Sequence, residues 1–481
     1  MKPKLTKSVP IFIFMAMATS SGLPAQKPRK GPLKPQPTVV APASVAEPLK
    51  TTTGEAPNST TTSAPPVAAK WYDSVKITGM VRVRPEIKEN FAFDADRRYN
   101  FVGQKVWLSA EKEFDDKTKL VITLQDARVW GGQNPTITDT GSEQQATDIR
   151  EAYVQMKGFF FTPFELKLGR QKLEYGEQML VGSLDWANVG RSFDGMKLTW
   201  DKGINNLQVF STVIQESNSN DLNNPVAGAN KHTSGMYFSG IWNSIKFHRA
   251  FMVDVFGFAR NQDMDGHSNQ LYTGGMRFSN RTDAGNKTPK DMIIDYSIEG
   301  AYQGGQRLGK QIEAYGAVGF IGLNFDLGVK MRIGGQGAYS SGGDPNGAKY
   351  QTFDSLYPTP HYQFGQADMT SWRNLSGAGA DYTIWFTPDL SLKIEYWYAM
   401  RTSTDDYWYA VLGAANDTTT IASLGGEKAL YQEAGLLFNY KPRDYLMFQS
   451  GYAYAMRGKA MNAANKSGDY QFAYFMSTFI F

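Results

Sequence analysis

From Trp71 to the C-terminus, the chain consists of segments of about ten residues in which apolar and polar side chains alternate. In the segment from 390 to 401, for example, Leu392, Ile394 and Tyr396 occupy one alternation. Lys393 and Glu395 occupy the other. Because successive side chains of a strand point to opposite faces, each segment predicts a strand with one apolar face and one charged face.

These segments number about 18, an even number, and the connections between them alternate in length. Short turns at 324, 387–389 and 441–443 alternate with long loops such as 335–375 and 402–429. The pattern predicts an all-β fold, a transmembrane antiparallel up-and-down β-barrel with both termini on the short-turn, periplasmic side. The predicted strands lie at 75–84, 99–113, 118–130, 147–157, 163–173, 192–200, 205–215, 233–242, 246–260, 269–280, 290–303, 310–322, 325–334, 376–386, 389–401, 429–440, 444–457 and 469–481.

Alternation alone is also compatible with a soluble pair of β-sandwiches or a β-propeller. Two features favour the membrane barrel. The last strand carries Phe475, Phe479 and Phe481 on one face, and this ending resembles the terminal signal that outer-membrane barrels present to their insertion machinery. Several apolar faces begin or end in Trp or Tyr, as expected at a lipid–water boundary. We therefore expect the outer membrane of a diderm bacterium, its lipid and the insertion machinery as location and partners.

The first 70 residues differ from the rest. Residues 1–25 predict a signal peptide, with Lys2, Lys4 and Lys7 before an apolar stretch at 9–18 that is too short to span a bilayer. Residues 26–70 are rich in Pro, Thr and Ala and predict a disordered periplasmic linker, because they offer too little apolar surface to bury. The barrel is expected over 71–481.

The chain as a whole has a basic pI, and the distribution of charge shows which part of the chain is responsible. Residues 1–70 contain nine Lys and Arg and two acids; subtracting these from totals of 50 and 46 leaves 41 bases and 44 acids, a net charge of −3, in 71–481. The basic excess therefore belongs to the linker, for which a solvated tether is favoured over contact with nucleic acid or anionic lipid. The absence of Cys excludes disulfides and thiolate metal sites.

One stretch resembles a known family. Residues 169–199, together with 125–130 and 148–153, are similar to the alginate export family of outer-membrane β-barrels. The matching motif includes Gly169, Tyr175, Trp186 and Asp194. The resemblance implies an outer-membrane channel and, less directly, passage of an anionic polysaccharide through a basic constriction. The matching arginines are Arg128, Arg150, Arg170 and Arg191.

Strand alternation supplies further pore-lining candidates, because charged residues on the face opposite the apolar one should point into the lumen. These are Arg82, Arg84, Lys105, Lys330, Arg332, Lys393 and Arg401. In all, ten bases and eight acids fall on such faces, so selectivity for anions and simple cross-strand charge pairing remain open. Arg170 shares the alternation of Leu168, which should face lipid, and a bulge at Gly169 would be needed to turn it inward. Arg128 and Arg150 share this difficulty.

No catalytic, cofactor or metal-binding motif is present. His232, His248, His267 and His361 are isolated, and Ser192 lacks the strand-turn-helix setting of a hydrolase nucleophile. We therefore expect no enzyme activity and no cofactor. The function expected is a channel for a polar, anionic saccharide or polysaccharide. A general small-solute porin and an adhesin acting through the loops 335–375 and 402–428 remain as alternatives.

Overall fold

The computed structural model describes residues 71–130, 145–159, 162–215, 236–264, 267–281, 293–361, 363–411 and 419–481. The predicted signal peptide and linker, 1–70, lie outside the described residues. Within these ranges nearly all regular structure is β-strand, and no helix there is long and apolar enough to cross a membrane. The helical elements are two 3-10 helices, Trp71–Ser74 and Phe91–Phe93, and one short α-helix, α1 (Lys459–Ala463).

The described strands are numbered in chain order. They are β1 (Val75–Glu89), β2 (Tyr99–Glu113), β3 (Thr118–Val129), β4 (Gln145–Lys157), β5 (Phe164–Gln171), β6 (Phe193–Lys202), β7 (Asn205–Gln215), β8 (Met236–His248), β9 (Phe251–Met264), β10 (His267–Ser279), β11 (Ile294–Arg307), β12 (Lys310–Asp326), β13 (Lys330–Ser340), β14 (Lys349–Tyr350), β15 (Leu375–Thr387), β16 (Leu390–Arg401), β17 (Ala429–Arg443), β18 (Leu446–Arg457) and β19 (Tyr470–Ile480). The two-residue β14 belongs to a loop, so 18 strands form the wall.

Each strand of this wall pairs antiparallel with the next, and β1 pairs with both β2 and β19, which closes the sheet. The end of the chain completes the seam, since the backbone N–H of Gly79 donates to Phe481 O at 2.7 Å and Phe481 N–H donates back to Gly79 O at 3.0 Å. Gly79 leaves room for the Phe481 ring, whose Cζ lies 2.3 Å from the position a Cβ would occupy. The predicted closed barrel of 18 antiparallel strands is confirmed.

Two details of the connections differ from the prediction. The turn expected at Asn324 is wrong, because β12 continues to Asp326 and the chain reverses at 327–329, where Gly328 has a φ of 88°. The alternation of short and long connections also fails in one region. The chain connects β9 to β10 and β11 to β12 by two residues each on the long-loop rim, whereas the β10–β11 connection, 280–293, is long on the opposite rim.

The outer face of the wall is apolar. Side chains such as Ile298, Ile321, Ile333 and Leu168 are about half exposed, at 55%, 57%, 52% and 52%, although they lie in the middle of strands. The residues between them, such as Asp295 and Glu299, are 0% and 2% exposed. In a lipid bilayer this exposed surface contacts hydrocarbon, as expected of a transmembrane barrel.

Candidate functional site

Two loops fold into the lumen. They are the β5–β6 loop, 172–192, and the β13–β15 loop, 341–374, and most of their residues are buried. Because the wall side chains that they contact, such as Phe210, Trp242 and Glu433, belong to the inward alternation, the loops lie within the barrel rather than above it. The second of them covers most of the predicted loop 335–375, which therefore lies inside the barrel and offers little external surface to an adhesin.

The first half of the β5–β6 loop packs against aromatic side chains that point inward from β7, β8 and β9. Tyr175 lies 5.1 Å from the ring centre of Trp242 and 5.7 Å from that of Phe210, nearly parallel to both. Phe238, Phe256 and Phe258 from β8 and β9 extend this inward surface, and Met179, Leu180 and Val181 are buried in the same cluster. Offset aromatic stacking and apolar burial therefore fix this half of the loop.

The second half of the same loop is held by a basic cluster, defined as Arg82, Arg84, Lys105, Arg150 and Lys172. Arg82 and Lys105 each donate to the carbonyl oxygens of Asp185 and Ala187, at 2.7–3.0 Å. Arg84 donates to Trp186 O at 2.6 Å. These three successive carbonyls therefore receive charge-assisted hydrogen bonds, which are the stronger kind.

Carboxylates in contact with the basic cluster are fewer than its bases. Glu86 pairs with Arg84 at 2.6 Å, and Asp185 pairs with Arg150 at 2.6 Å and with Lys172 at 3.5 Å. Burial raises the pKa of Asp185, but the charges of Lys172 and Arg150 more than offset this and lower it below its ordinary value. Two carboxylates thus pair directly with three of the five bases, and the charges of Glu151 and Glu174 also act on Arg150.

The β13–β15 loop is anchored to the wall by buried charge. Asp354 lies between Arg260 of β9 and Arg373, with both ion pairs at 2.6 Å. Burial raises the pKa of Asp354, but these two arginines lower it more strongly. The pKa therefore lies well below its usual range, and the carboxyl group is ionised. On the other side of the loop, the backbone N–H groups of Gln366 and Ala367 donate to Glu433 of β17 at 2.6 and 3.2 Å.

The two loops also contact each other. Tyr357 N–H donates to Leu180 O and Gly182 N–H donates to Tyr357 O, each at 2.8 Å. Near the basic cluster, the rings of Trp186 and His361 stack with centroids 3.4 Å apart and planes 6° apart. The Arg84 guanidinium lies 3.9 Å from the Trp186 ring centre, a cation–π contact. The loops therefore form one internal body rather than two independent plugs.

His361 and Asp368 form a buried pair within this body, with Nδ1 and Oδ2 2.6 Å apart. Burial lowers the pKa of His361 well below its ordinary value, and the neighbouring charge of Arg84 acts in the same direction. Burial raises the pKa of Asp368 well above its ordinary value. Both shifts favour the neutral pair, in which one proton is shared between the imidazole and the carboxyl group.

The other candidates predicted from alternation lie in separate environments. Arg332 bridges Asp295 and Asp381 at 2.9 and 2.6 Å, and Lys393 pairs with Glu395. Arg401 is completely buried and donates to backbone carbonyls of the β16–β17 connection rather than lining open space. Lys330 is exposed at the start of β13.

The arginines suggested by the family resemblance divide into two groups. Arg128 and Arg170 lie on the outward alternation, where Arg128 pairs with Asp126 at 2.6 Å and Arg170 pairs with Asp194 at 2.8 Å. Their assignment to the lumen is therefore corrected. Gly169 has an unusual φ of 124°, but the registers of β5 with β4 and with β6 are regular there, so the expected bulge is absent and Arg170 points outward. Arg191 faces inward and donates to Pro358 O of the other loop at 2.9 Å.

Arg150 does face the lumen, because of a bulge in β4 that simple alternation does not predict. The β3–β4 register passes from the Thr123–Glu151 pair to the Leu124–Ile149 pair, so Arg150 is an extra residue on β4. This bulge turns Arg150 inward beside Glu151, while Ile149 remains 42% exposed on the lipid side. Gly190 lies against the Arg150 guanidinium, whose Cζ is 2.4 Å from the position a Cβ would occupy, so a side chain there would displace it.

Sequence reasoning missed the apolar side chains that face the lumen on β7, β8 and β9. It assigned polar side chains to the inward face of the wall, whereas Phe210, Phe238 and Phe258 point inward. Inward aromatic residues could have been noticed from β6 to β9, where apolar side chains occupy both alternations. Within the described residues, no cluster of three or more His, Cys, Asp or Glu could hold a metal ion.

Comparisons with known proteins agree with this architecture. The family model described as alginate export matches residues 73–473. A search of curated proteins finds no match. Among solved structures, the outer-membrane proteins OccD3 (OpdP) and OprD of Pseudomonas aeruginosa superpose with TM-scores of 0.55 and 0.53 at 12% and 10% identity. Each alignment covers 85% of this chain, and 91% and 94% of the other chain. OpdK of the same organism, solved with vanillate, gives 0.53 at 13% identity over 84% of this chain and 98% of its own.

Proposed function

This chain belongs to the alginate export family and is a channel barrel of a Gram-negative-type outer membrane, and on that premise we propose that it conducts a polar, anionic saccharide or polysaccharide. The observation that carries the proposal is the basic cluster against the β5–β6 loop. Five basic side chains lie against this loop inside the barrel, and two carboxylates pair with three of them. Fields inside a narrow lumen are weakly screened, so a predominance of bases along the path of the solute favours entry of anions.

The wall beside the basic cluster offers suitable surfaces for a charged sugar. Lys167 and Lys197 face each other across β5 and β6, and the Lys167 ammonium lies 4.0 Å from the Tyr153 ring centre. Lys172 lies 5.7 Å from the ring centre of Trp107. An aromatic face can pack against the apolar face of a pyranose ring while a nearby ammonium binds its carboxylate.

A second candidate function is passage of small aromatic or aliphatic carboxylates. The structural similarity to OpdK, which was solved with vanillate, favours this alternative. A single carboxylate would use the same basic cluster, so the two candidates differ in the length of the solute rather than in its charge. Blocking of the current by oligomers, compared with monomers, separates them.

Lys172 is the best position at which to test the cluster, because its side chain is 28% exposed while Lys105 and Arg150 are 0% and 2% exposed. We expect Lys172→Glu to shift the reversal potential in a salt gradient towards cations, and Lys172→Arg to retain the original value. Lys441→Glu, in the exposed β17–β18 hairpin, is the matched control, and its effect should be small.

Arg332 and Lys393 are poorer positions for this test, because their ion pairs, at 2.5–2.9 Å, are closer than the 3.5 Å contact of Lys172 with Asp185. An unchanged reversal potential in Lys172→Glu, with normal insertion and conductance, would contradict the role of the cluster. Conductance without any preference between anions and cations in the unsubstituted protein would favour a general porin instead.

A further inference from the structure

Residues 184–190 of the β5–β6 loop, called the tip segment below, form a small subloop whose ends are held together. The backbone N–H of Arg191 donates to Ser183 O at 2.7 Å, so the chain enters and leaves the tip segment at nearly the same point. The segment therefore has the joined ends and the size of an Ω-loop, a compact loop that frequently carries function.

The tip segment covers the basic cluster. Four of the five bases of the cluster, all except Lys172, are at most 5% exposed. Besides the three backbone carbonyls described above, Asn188 Oδ1 accepts from Arg82 at 2.8 Å and Asp185 Oδ1 accepts from Arg150 at 2.6 Å. A solute in the lumen therefore reaches most of these donors only when the tip segment is displaced.

The acceptors of the tip segment are similar in kind to those of an acidic sugar. A uronate offers one carboxylate together with neutral hydroxyl and ether oxygens. The tip segment offers the Asp185 carboxylate together with neutral carbonyl and amide oxygens. The segment thus occupies the basic cluster with the same groups that an anionic saccharide would bring.

The tip segment is held mainly by these polar contacts. The first half of the loop contributes Tyr175 and the residues 179–181 to the apolar core of the protein, whereas Trp186 is the one residue of the tip segment that packs against this core, and it is only partly buried. Leu184 has a φ of 56°, a left-handed conformation that is unfavourable for a residue with a side chain. The tip segment can therefore leave its position while the first half of the loop stays fixed.

We propose that the tip segment is an internal competitor of the anionic solute, which occupies the basic cluster until a saccharide with several carboxylates displaces it. The inference rests on the proposed function, because displacement serves conduction only if an anion passes the cluster. Hydrogen bonds between two ions are stronger than those between an ion and a neutral oxygen, so an oligouronate binds the uncovered cluster more strongly than the tip segment does. A neutral saccharide lacks this differential affinity and leaves the segment in place.

Displacement is tested by thiol labelling of the full-length protein in lipid vesicles, since the chain has no Cys of its own. Ala187→Cys introduces a thiol at a position of the tip segment that is 6% exposed. Saturating oligouronate should raise its rate of labelling by N-ethylmaleimide about 10-fold, whereas neutral oligosaccharides of equal length should not change it. Asn462→Cys, exposed on α1, is the matched control, and neither saccharide should alter its labelling.

A weakened contact should have the effect of the solute. Asp185→Asn keeps the carbonyl acceptors of the tip segment but removes the carboxylate that pairs with Arg150 and Lys172. Combined with Ala187→Cys, it should raise the rate of labelling without solute about 10-fold, as expected for the loss of a hydrogen bond between charged groups. Glu111→Gln removes a carboxylate that pairs with Lys119 instead, and it should leave the rate unchanged.

A disulfide provides the opposite perturbation. The position of a Cβ at Gly103 of β2 lies 2.9 Å from Asn188 Cγ, close enough for a disulfide between cysteines at these two positions. In the double variant Gly103→Cys with Asn188→Cys, oxidation should lower the rate at which labelled oligouronates leave the vesicles about 10-fold, and reduction with dithiothreitol should restore it. The reduced form is the control for any effect of the two substitutions on folding.

The outcomes separate this inference from the proposed function. The inference is overturned if oligouronates leave the labelling of Ala187→Cys unchanged, or if they cross the oxidised and the reduced double variant equally fast. Passage of oligouronates with either result would leave the proposed function intact. Labelling that is accelerated by oligouronates, without their passage through any form of the protein, would support the inference and contradict the proposed function.

Discussion

The assignment of faces on the wall can be tested by placing a charge on each side at the same height. Ile333 of β13 is 52% exposed and is the cross-strand partner of Leu323, which is 49% exposed. Ile333 lies five positions after Gly328, which is at the centre of its turn. With a rise of about 3.4 Å per residue and a tilt of about 40°, Ile333 lies roughly 13 Å above the turn, the middle of an apolar band about 25 Å tall.

Ile333→Lys should therefore place an ammonium near the bilayer midplane, and we expect it to lower the free energy of unfolding by about 2–4 kcal/mol. Thr383 of β15 is the control, because it pairs with Arg332 and Lys393 at a similar height but on the inward face. Thr383→Glu adds a charge beside two bases and should change stability by less than about 1 kcal/mol.

The assay is urea unfolding of the barrel in lipid vesicles, followed by tryptophan fluorescence. Ile333→Leu provides a second control for the loss of the native side chain and should cost less than about 1.5 kcal/mol. If Thr383→Glu destabilised the barrel as much as Ile333→Lys, or more, the assignment of inward and outward faces on β13 and β15 would be wrong.

Three further substitutions test the loops and the bulged strand. Gly169→Ala should destabilise the barrel by about 1–3 kcal/mol in urea unfolding, because φ is 124° and a Cβ would lie 2.2 Å from Ala152 O; a neutral effect would contradict this strain. Asp354→Asn should cost about 3–5 kcal/mol in the same assay, since it removes a buried carboxylate from two half-buried arginines, and a loss below about 1 kcal/mol would contradict the anchor. Burial lowers the pKa of His361, so its contribution to stability is present above pH about 6.5 and is lost as the pH falls below that value. As the pH falls from 8 to 5, the melting temperature should therefore fall less in His361→Gln than in the unsubstituted protein. An equal dependence of the melting temperature on pH in the two proteins would contradict this contribution of His361.

The wall of the barrel could be predicted from sequence because its cause is local. Alternation over ten residues places side chains on two faces, and a lipid environment on one face makes the apolar set unmistakable at Ile294, Tyr296 and Ile298. All 18 predicted strands correspond to observed ones, including β2 and β7 with identical bounds. The turn at 327–329 was misplaced because Asn324 is a good turn residue, whereas the register with β13 decides where β12 ends.

The lumen was less predictable because its contacts join residues far apart in the chain. The side chains of Arg82 and Lys105 are satisfied by carbonyls about a hundred positions away, and no local pattern contains that pairing. Arg150 required a bulge that alternation could not show, whereas the bulge expected at Gly169 is absent and Arg170 stays on the outward face. Burial of the β13–β15 loop depended on Asp354 and Trp372, which are separated in sequence from their partners on β9 and β13.

The most direct test of the proposed function is the current through the full-length protein in a planar bilayer, recorded in a salt gradient and then with added oligouronates. We expect a reversal potential on the anion-selective side, and block by oligouronates that neutral oligosaccharides of equal length do not reproduce. A steady current that prefers cations, or one that charged and neutral oligosaccharides block equally, would contradict conduction of an anionic saccharide past the basic cluster.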